Sequence, residues 1–155
     1  MRIYIVDDED GKIQNIHEFV RTHFSTCKIE MFRSFQKGLR ALLTDPPDAL
    51  LLDMTMPTYE VGPREPGGRE RRYAGREIIR QLNRKKMKIP VIVLTQYEQF
   101  EDGGKDVDLQ TIKLELVENY PDIFVDAIYY NASDSRWMNE LENLLAPILQ
   151  EHDHE

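Results

Sequence analysis

The 155-residue sequence contains a single cysteine, Cys27, and a single tryptophan, Trp137. One thiol cannot close an internal disulfide, and the apolar neighbours of Cys27 point to a buried sulfur in a reducing compartment. Positive charge is also scarce: 20 Lys and Arg stand against 28 Asp and Glu, a formal net charge of −8. Phosphate backbones are held by clustered cations, so nucleic acid is not an expected partner. No apolar run is long enough to cross a bilayer, and the sequence opens on a strand pattern rather than a signal peptide. No membrane association and a cytoplasmic location are therefore expected. Glycine-rich phosphate loops, dinucleotide fingerprints, zinc motifs and internal repeats are all missing. What is left, with 41% hydrophobic and 31% charged residues, has the composition of an ordinary globular domain, long enough for one sizeable core.

Hydrophobic periodicity gives the order of elements. "RIYIV" (residues 2–6) reads as a strand ending on "DDED", and Asp10 is placed to cap a helix with Ile13, Ile16, His17, Val20 and Phe24 on one face. "CKIEMF" reads as a second strand, Ser34 caps a helix carrying Phe35, Leu39, Leu42 and Leu43, and "DPPD" punctuates before a third strand, "ALLLD". "GREIIRQLNRK" is a helix, "IPVIVLT" a fourth strand, and Asp108 caps a helix through Leu109, Ile112, Leu116, Val117 and Tyr120 that Pro121 stops. "IFVDAIYY" is a fifth strand. A last helix starts near Ser133, Asp134 or Ser135 and turns Trp137, Leu141, Leu144, Leu145 and Ile148 inward. Five strands alternating with five helices predict an α/β doubly wound parallel sheet with helices on both faces. Two stretches interrupt the alternation: residues 58–74, rich in Gly, Pro and charge and read as a long mobile loop, and residues 96–107, irregular and mostly acidic.

Ligand crevices of such sheets lie outside the carboxyl ends of the strands. Those ends carry Asp7 and Asp8, Asp53, Thr95 and Asn131. Three acids converging there repel one another unless a divalent cation sits among them, and hard oxygen ligands suit Mg²⁺. With the cation present, one carboxylate can act as nucleophile on phosphorus. Asp53, where an all-apolar strand ends on a single acid, is best placed for that, and the Thr95 hydroxyl can donate to a phosphoryl oxygen.

These residues resemble the receiver domains of two-component response regulators. "IYIVDDE" is similar to the family's acidic pair after the first strand, "LLLDMTMP" to its phosphoacceptor strand with the Met-Pro that follows, and "VIVLT" to its fourth-strand threonine. The resemblance covers essentially residues 2–149. It implies a flavodoxin-like sheet of order 2-1-3-4-5, in a single domain over residues 1–150 with insertions at about 58–74 and 96–107 and a tail at 151–155. It also implies that Asp53 is phosphorylated and that Asp8, Asp53 and the backbone carbonyl of Thr55 hold Mg²⁺, with Asp7 acting largely through metal-bound water. The implied partners are a histidine kinase or histidine phosphotransfer protein and a downstream target protein. Beyond self-phosphotransfer and autodephosphorylation, no enzymatic activity is expected.

The sequence departs from that family in several places. A lysine ordinarily ends the fifth strand, whereas "IYYNAS" offers Asn131 and Ala132; the Asn131 amide can donate a hydrogen bond but brings no charge to the phosphoryl group. Ile128 stands at the aromatic switch position, with Tyr129 and Tyr130 beside it. Gly75 matches the glycine after Met-Pro, displaced by the first insertion, and Gln96 replaces the usual small residue after the threonine. Weak coupling between phosphorylation and surface change is the expectation that follows. A pseudo-receiver serving as a phosphorylation-independent interaction module is the second reading. An aspartate-nucleophile phosphohydrolase is the third, disfavoured because Asp53-Met54-Thr55 lacks the second acid of an Asp-x-Asp pair.

Overall fold

A computed structural model describes residues 1–57, 70–71, 74–102 and 105–153. Among these described residues, nine strands and five helices follow in the order β1 (Arg2–Val6), α1 (Asp10–His23), β2 (Lys28–Phe32), α2 (Phe35–Thr44), β3 (Ala49–Leu52), β4 (Met56–Pro57), β5 (Glu70–Arg71), α3 (Ala74–Arg84), β6 (Val91–Thr95), β7 (Gln99–Asp102), β8 (Lys105–Asp108), α4 (Leu109–Asn119), β9 (Phe124–Tyr129) and α5 (Arg136–Asp153). Strands β2, β1, β3, β6 and β9 form one parallel sheet in that order. This is the expected flavodoxin-like arrangement, and it sets the carboxyl ends of β1, β3, β6 and β9 side by side.

Side-chain alternation along the strands assigns each helix to a face. Tyr4, Val6, Leu50, Leu52, Val91 and Val93 pack with Phe35 and Leu42 of α2, Ile78, Ile79 and Leu82 of α3, and Ile112 and Leu116 of α4. Ile3, Ile5, Ala49, Leu51, Ile92 and Leu94 pack on the other face with Ile13, Ile16, Phe19 and Val20 of α1 and Trp137, Leu141 and Leu145 of α5. Because β1, β3 and β6 are covered on both sides, they read as unbroken apolar runs rather than as alternating ones.

Several local expectations change. The cap of α1 is Glu9, not Asp10: its carboxylate accepts from the amides of Gly11 (3.2 Å) and Lys12 (2.9 Å), and Asp10 is the first helical residue. Ser34 and Asp108 cap α2 and α4 as expected, accepting from the amides of Lys37 and Thr111. Leu43 and Val117, named among the apolar residues of their helices, are exposed. Within the stretch 96–107, expected to be irregular, β7 and β8 pair antiparallel with Phe100 opposite Val107. The Gly103-Gly104 pair between the two runs is the hairpin signal in the sequence. Glu70–Arg71 pairs with Met56–Pro57 rather than belonging to a loop, and α3 already begins at Ala74; residues 58–69 and 72–73 of the expected loop lie outside the described residues. Finally, α5 passes through Pro147 and runs to Asp153, so residues 151–153 of the expected tail are helical.

Candidate functional site

The sheet order brings three acids together. Asp7 follows β1 and Asp53 follows β3; the Asp53 amide donates to Val6 O at 2.9 Å and the Asp7 amide to Phe32 O at 2.9 Å, which fixes both residues as the strands end. Asp7 and Asp53 are buried, Asp8 is exposed, and one carboxylate oxygen of each lies within 4.8 Å of the others. Thr95 is fully buried at the end of β6, where its hydroxyl accepts from the Tyr97 amide at 3.2 Å and its carbonyl from the Tyr130 amide at 2.8 Å. Thr55 stands two residues beyond Asp53, between β3 and β4.

The residue that sequence reasoning missed is Lys12. Its side chain is 1% exposed, and its ammonium reaches Asp7 Oδ2 at 2.7 Å, Asp53 Oδ1 at 3.1 Å and the carbonyl of Leu94 at 2.5 Å. An ammonium has three N–H donors, and these three acceptors use them all. The signal was present in the helical phase: Lys12, Ile16 and Val20 are four residues apart and therefore share the inward face of α1. A cation on that face, five residues after the start of an acidic pair, has no apolar role.

Asn131 behaves differently. Its side-chain oxygen accepts from the Ser133 amide at 2.9 Å and its carbonyl from the Asp134 amide, so it closes the turn that leads into α5. The charge that Asn131 does not bring is therefore present at the site, delivered by α1. Ile128 is fully buried and Tyr129 is partly exposed. Tyr130 is buried: its hydroxyl accepts from Asn15 Nδ2 at 2.7 Å, its ring centroid lies 5.1 Å from that of Trp137, and Lys12 Nζ lies 5.9 Å from the same ring.

One ammonium among three carboxylates leaves surplus negative charge, and the titration of the pair follows from that. Burial pushes the Asp53 carboxyl up; Lys12 pulls it down, Asp7 and Asp8 add repulsion, and it ends at about 7. Burial works to lower the Lys12 ammonium, but Asp53 and Asp7 outweigh it and hold it above its ordinary 10.5. Lys12 is thus a fixed cation, and Asp53 carries the unrelieved repulsion. The donor set, three carboxylates with net negative charge and no nitrogen or sulfur ligand, suits a hard divalent ion such as Mg²⁺. Asp53 Oδ1 is engaged by Lys12 and by the Met54 amide at 2.9 Å, which leaves Oδ2 as the Asp53 oxygen for such an ion.

The floor of the site is glycine-dependent. The amide of Gly75, in the first turn of α3, donates to Met54 O at 2.9 Å, and a Cβ on Gly75 would stand 2.5 Å from the backbone oxygen of Asp53. Only a residue without a side chain lets α3 seat this closely on the acceptor loop.

The family model for the response regulator receiver domain matches residues 3–112. The chain belongs to that family. The match stops before β9. Protein y4jR of Sinorhizobium fredii is 30% identical over 92% of the chain and 95% of its own length. The Detocs response regulatory protein DtcB of Enterobacter cloacae is 29% identical over 91% of the chain and 95% of its own length. A CheY-like receiver domain from Methanospirillum hungatei superposes with a TM-score of 0.64 at 16% identity, covering 99% of this chain and 98% of that one, which bears on the fold alone. Receiver domains generally bind Mg²⁺ at an acidic pocket and interact with kinases or phosphotransfer proteins, and the Asp7, Asp8 and Asp53 cluster is this chain's acidic pocket. Among the described residues no helix is long and apolar enough to cross a membrane.

Proposed function

We propose that this receiver domain accepts a phosphoryl group on Asp53 from the phosphohistidine of a kinase or phosphotransfer protein and signals by binding a downstream target. The observation that carries the reading is the convergence of Asp7, Asp8 and Asp53 at adjoining strand ends, with Thr95 beside them. Asp53 Oδ2 attacks phosphorus; the new O–P bond forms as the donor's N–P bond breaks, and the electron pair of that bond returns to the donor imidazole. Asp8, Asp53 and the Thr55 carbonyl, with Asp7 contributing, would hold Mg²⁺, which would supply charge neutralisation for the phosphoryl oxygens. The Met54 amide and Lys12 fix the acceptor carboxylate through Oδ1, so that it is oriented before the donor arrives. Two relatives are named Detocs response regulatory proteins, and we extend the response-regulatory role to this chain.

The ion pair itself favours a second reading. Lys12 already satisfies Asp7 and Asp53, as it would in a pseudo-receiver whose acidic site has become a fixed structural cluster. Titration with fluoroberyllate, a tetrahedral phosphoryl mimic, separates the two readings. The phosphoacceptor reading expects Mg²⁺-dependent binding, seen as bound ¹⁹F signals and as shifts of the amides of Asp53, Met54 and Thr95. Replacing Asp8 by Ala should weaken both Mg²⁺ and mimic binding. Absence of any bound signal at saturating Mg²⁺ would establish the pseudo-receiver instead.

A further inference from the structure

The Lys12 ammonium is held in place before any phosphoryl group arrives. It sits on Oδ1 of the acceptor carboxylate, the oxygen beside the attacking Oδ2, it is buried at 1% exposure, and its stem rises from a helix turn capped by Glu9, whose amide in turn donates to Asp7 Oδ1 at 3.0 Å. Lys12 and Asn131 also line one cavity of about 420 Å³, together with Glu9, Asn15, Gln96 and Tyr130. The two positions therefore approach the same space from opposite elements, α1 and the end of β9.

We propose that Lys12 is the phosphoryl-contacting cation of this receiver domain, supplied by the first turn of α1 in place of a lysine at the end of the last strand. The inference rests on the phosphoacceptor reading of Asp53. When Asp53 is phosphorylated, the carboxylate charge that Lys12 pairs with moves outward onto the phosphoryl oxygens. The ammonium keeps Asp7 and the Leu94 carbonyl and gives the donor that Asp53 Oδ1 held to one of those oxygens. No proton moves; Lys12 contributes charge and a charge-assisted hydrogen bond. Its other contacts decide where the event is felt. The Leu94 carbonyl precedes Thr95, and the Tyr130 ring beneath Nζ is tied by its hydroxyl to Asn15 on α1, while the Tyr130 amide holds the Thr95 carbonyl. A shift of Lys12 therefore registers on α1 and on Tyr130, with Asn131 left in its turn.

The test compares wild type, Lys12→Met, and Lys12→Met combined with Asn131→Lys, with folding of each checked by dispersion of its amide spectrum. Phosphoryl uptake from acetyl phosphate with Mg²⁺ is timed by intact mass. Loss of one oriented charge-stabilising donor should slow uptake by on the order of a hundredfold, and a lysine restored at position 131 should recover most of the loss. A merely structural lysine would show neither the rate loss in a folded variant nor the rescue. Wild type itself provides a readout that needs no variant: a fluorine of bound fluoroberyllate should show a nuclear Overhauser contact to the Lys12 Nζ protons. Equal uptake in wild type and folded Lys12→Met, or a bound mimic without that contact, overturns the assignment and leaves the phosphoacceptor reading intact. No uptake and no mimic binding by wild type overturns both.

Discussion

Replacing Asp53 by Asn should stabilise the metal-free protein at neutral and alkaline pH, even though it removes the acceptor. The sign follows from proton binding. The folded Asp53 carboxyl holds its proton up to about 7, while the unfolded value is 3.8, so between those values the native state binds more protons than the unfolded state. Stability contributed by this group is full below 3.8 and is lost as pH rises through about 7. The loss is of the order of a few kcal/mol, since a tenfold difference in proton affinity between the two states corresponds to about 1.4 kcal/mol. Asn at position 53 removes that dependence and retains hydrogen-bonding capacity toward the Met54 amide and Lys12. Denaturant titrations of both proteins at pH 5 and pH 8 without metal should therefore diverge toward the higher pH, with the variant the more stable. Added Mg²⁺ should stabilise wild type at pH 8 by offsetting the same repulsion, and should do much less for the variant. A wild-type protein that is equally or more stable than Asp53→Asn at pH 8 would mean that the carboxylate cluster is not repulsive.

Gly75→Ala should destabilise the fold and loosen the acceptor site together. The added Cβ meets the Asp53 carbonyl oxygen at 2.5 Å, the Met54 Cα at 3.1 Å and the Asp53 carbonyl carbon at 3.3 Å. These are backbone atoms, and none can rotate away as the end of a side chain could. Either the start of α3 withdraws and stretches the Gly75 amide bond to Met54, or the peptide after Asp53 moves. Overpacking of this kind costs about 1–3 kcal/mol. Gly11→Ala is the matched control, because its Cβ would stand 3.4 Å from a Glu9 carboxylate oxygen, an ordinary contact. Thermal unfolding should separate the two variants clearly, and only Gly75→Ala should also weaken Mg²⁺ binding. Two variants with equal stability would show that α3 yields at no cost and does not support the site.

The parts of this molecule that could be read from its sequence are those whose signal is local. Asp7, Asp8, Asp53 and Thr95 each end an apolar run, and the rule that a parallel sheet opens at its strand ends was enough to gather them. Ser34 and Asp108 sit immediately before apolar helical patterns and cap them. Adjacent candidates were harder to separate: Glu9 and Asp10 are both acids at the start of α1, and the longer side chain of Glu9 reaches two amides from one position further back. The β7–β8 hairpin was hidden because its strands are short and acidic, leaving Gly103-Gly104 as its main sign.

Lys12 was obscured for a different reason. A lysine in the first turn of a helix is ordinarily solvated, and the partners that make it otherwise, Asp53 and the Leu94 carbonyl, are 41 and 82 residues further along the chain. Its role becomes visible only when β3 and β6 are known to flank the end of β1. Asn131 was misleading for the complementary reason. The resemblance puts the family's lysine at its position, but its bonds are those of a turn residue, so the absence of charge at 131 says nothing about the charge at the site.

The central claim is that Asp53 is a phosphoacceptor, and its most direct test is intact-mass measurement of wild type and Asp53→Asn after incubation with acetyl phosphate and Mg²⁺. One phosphoryl group is expected on wild type, labile to hydroxylamine as an acyl phosphate should be, lost when Mg²⁺ is chelated beforehand and missing from Asp53→Asn. An unmodified wild-type mass, or equal modification of the two proteins, would contradict the claim.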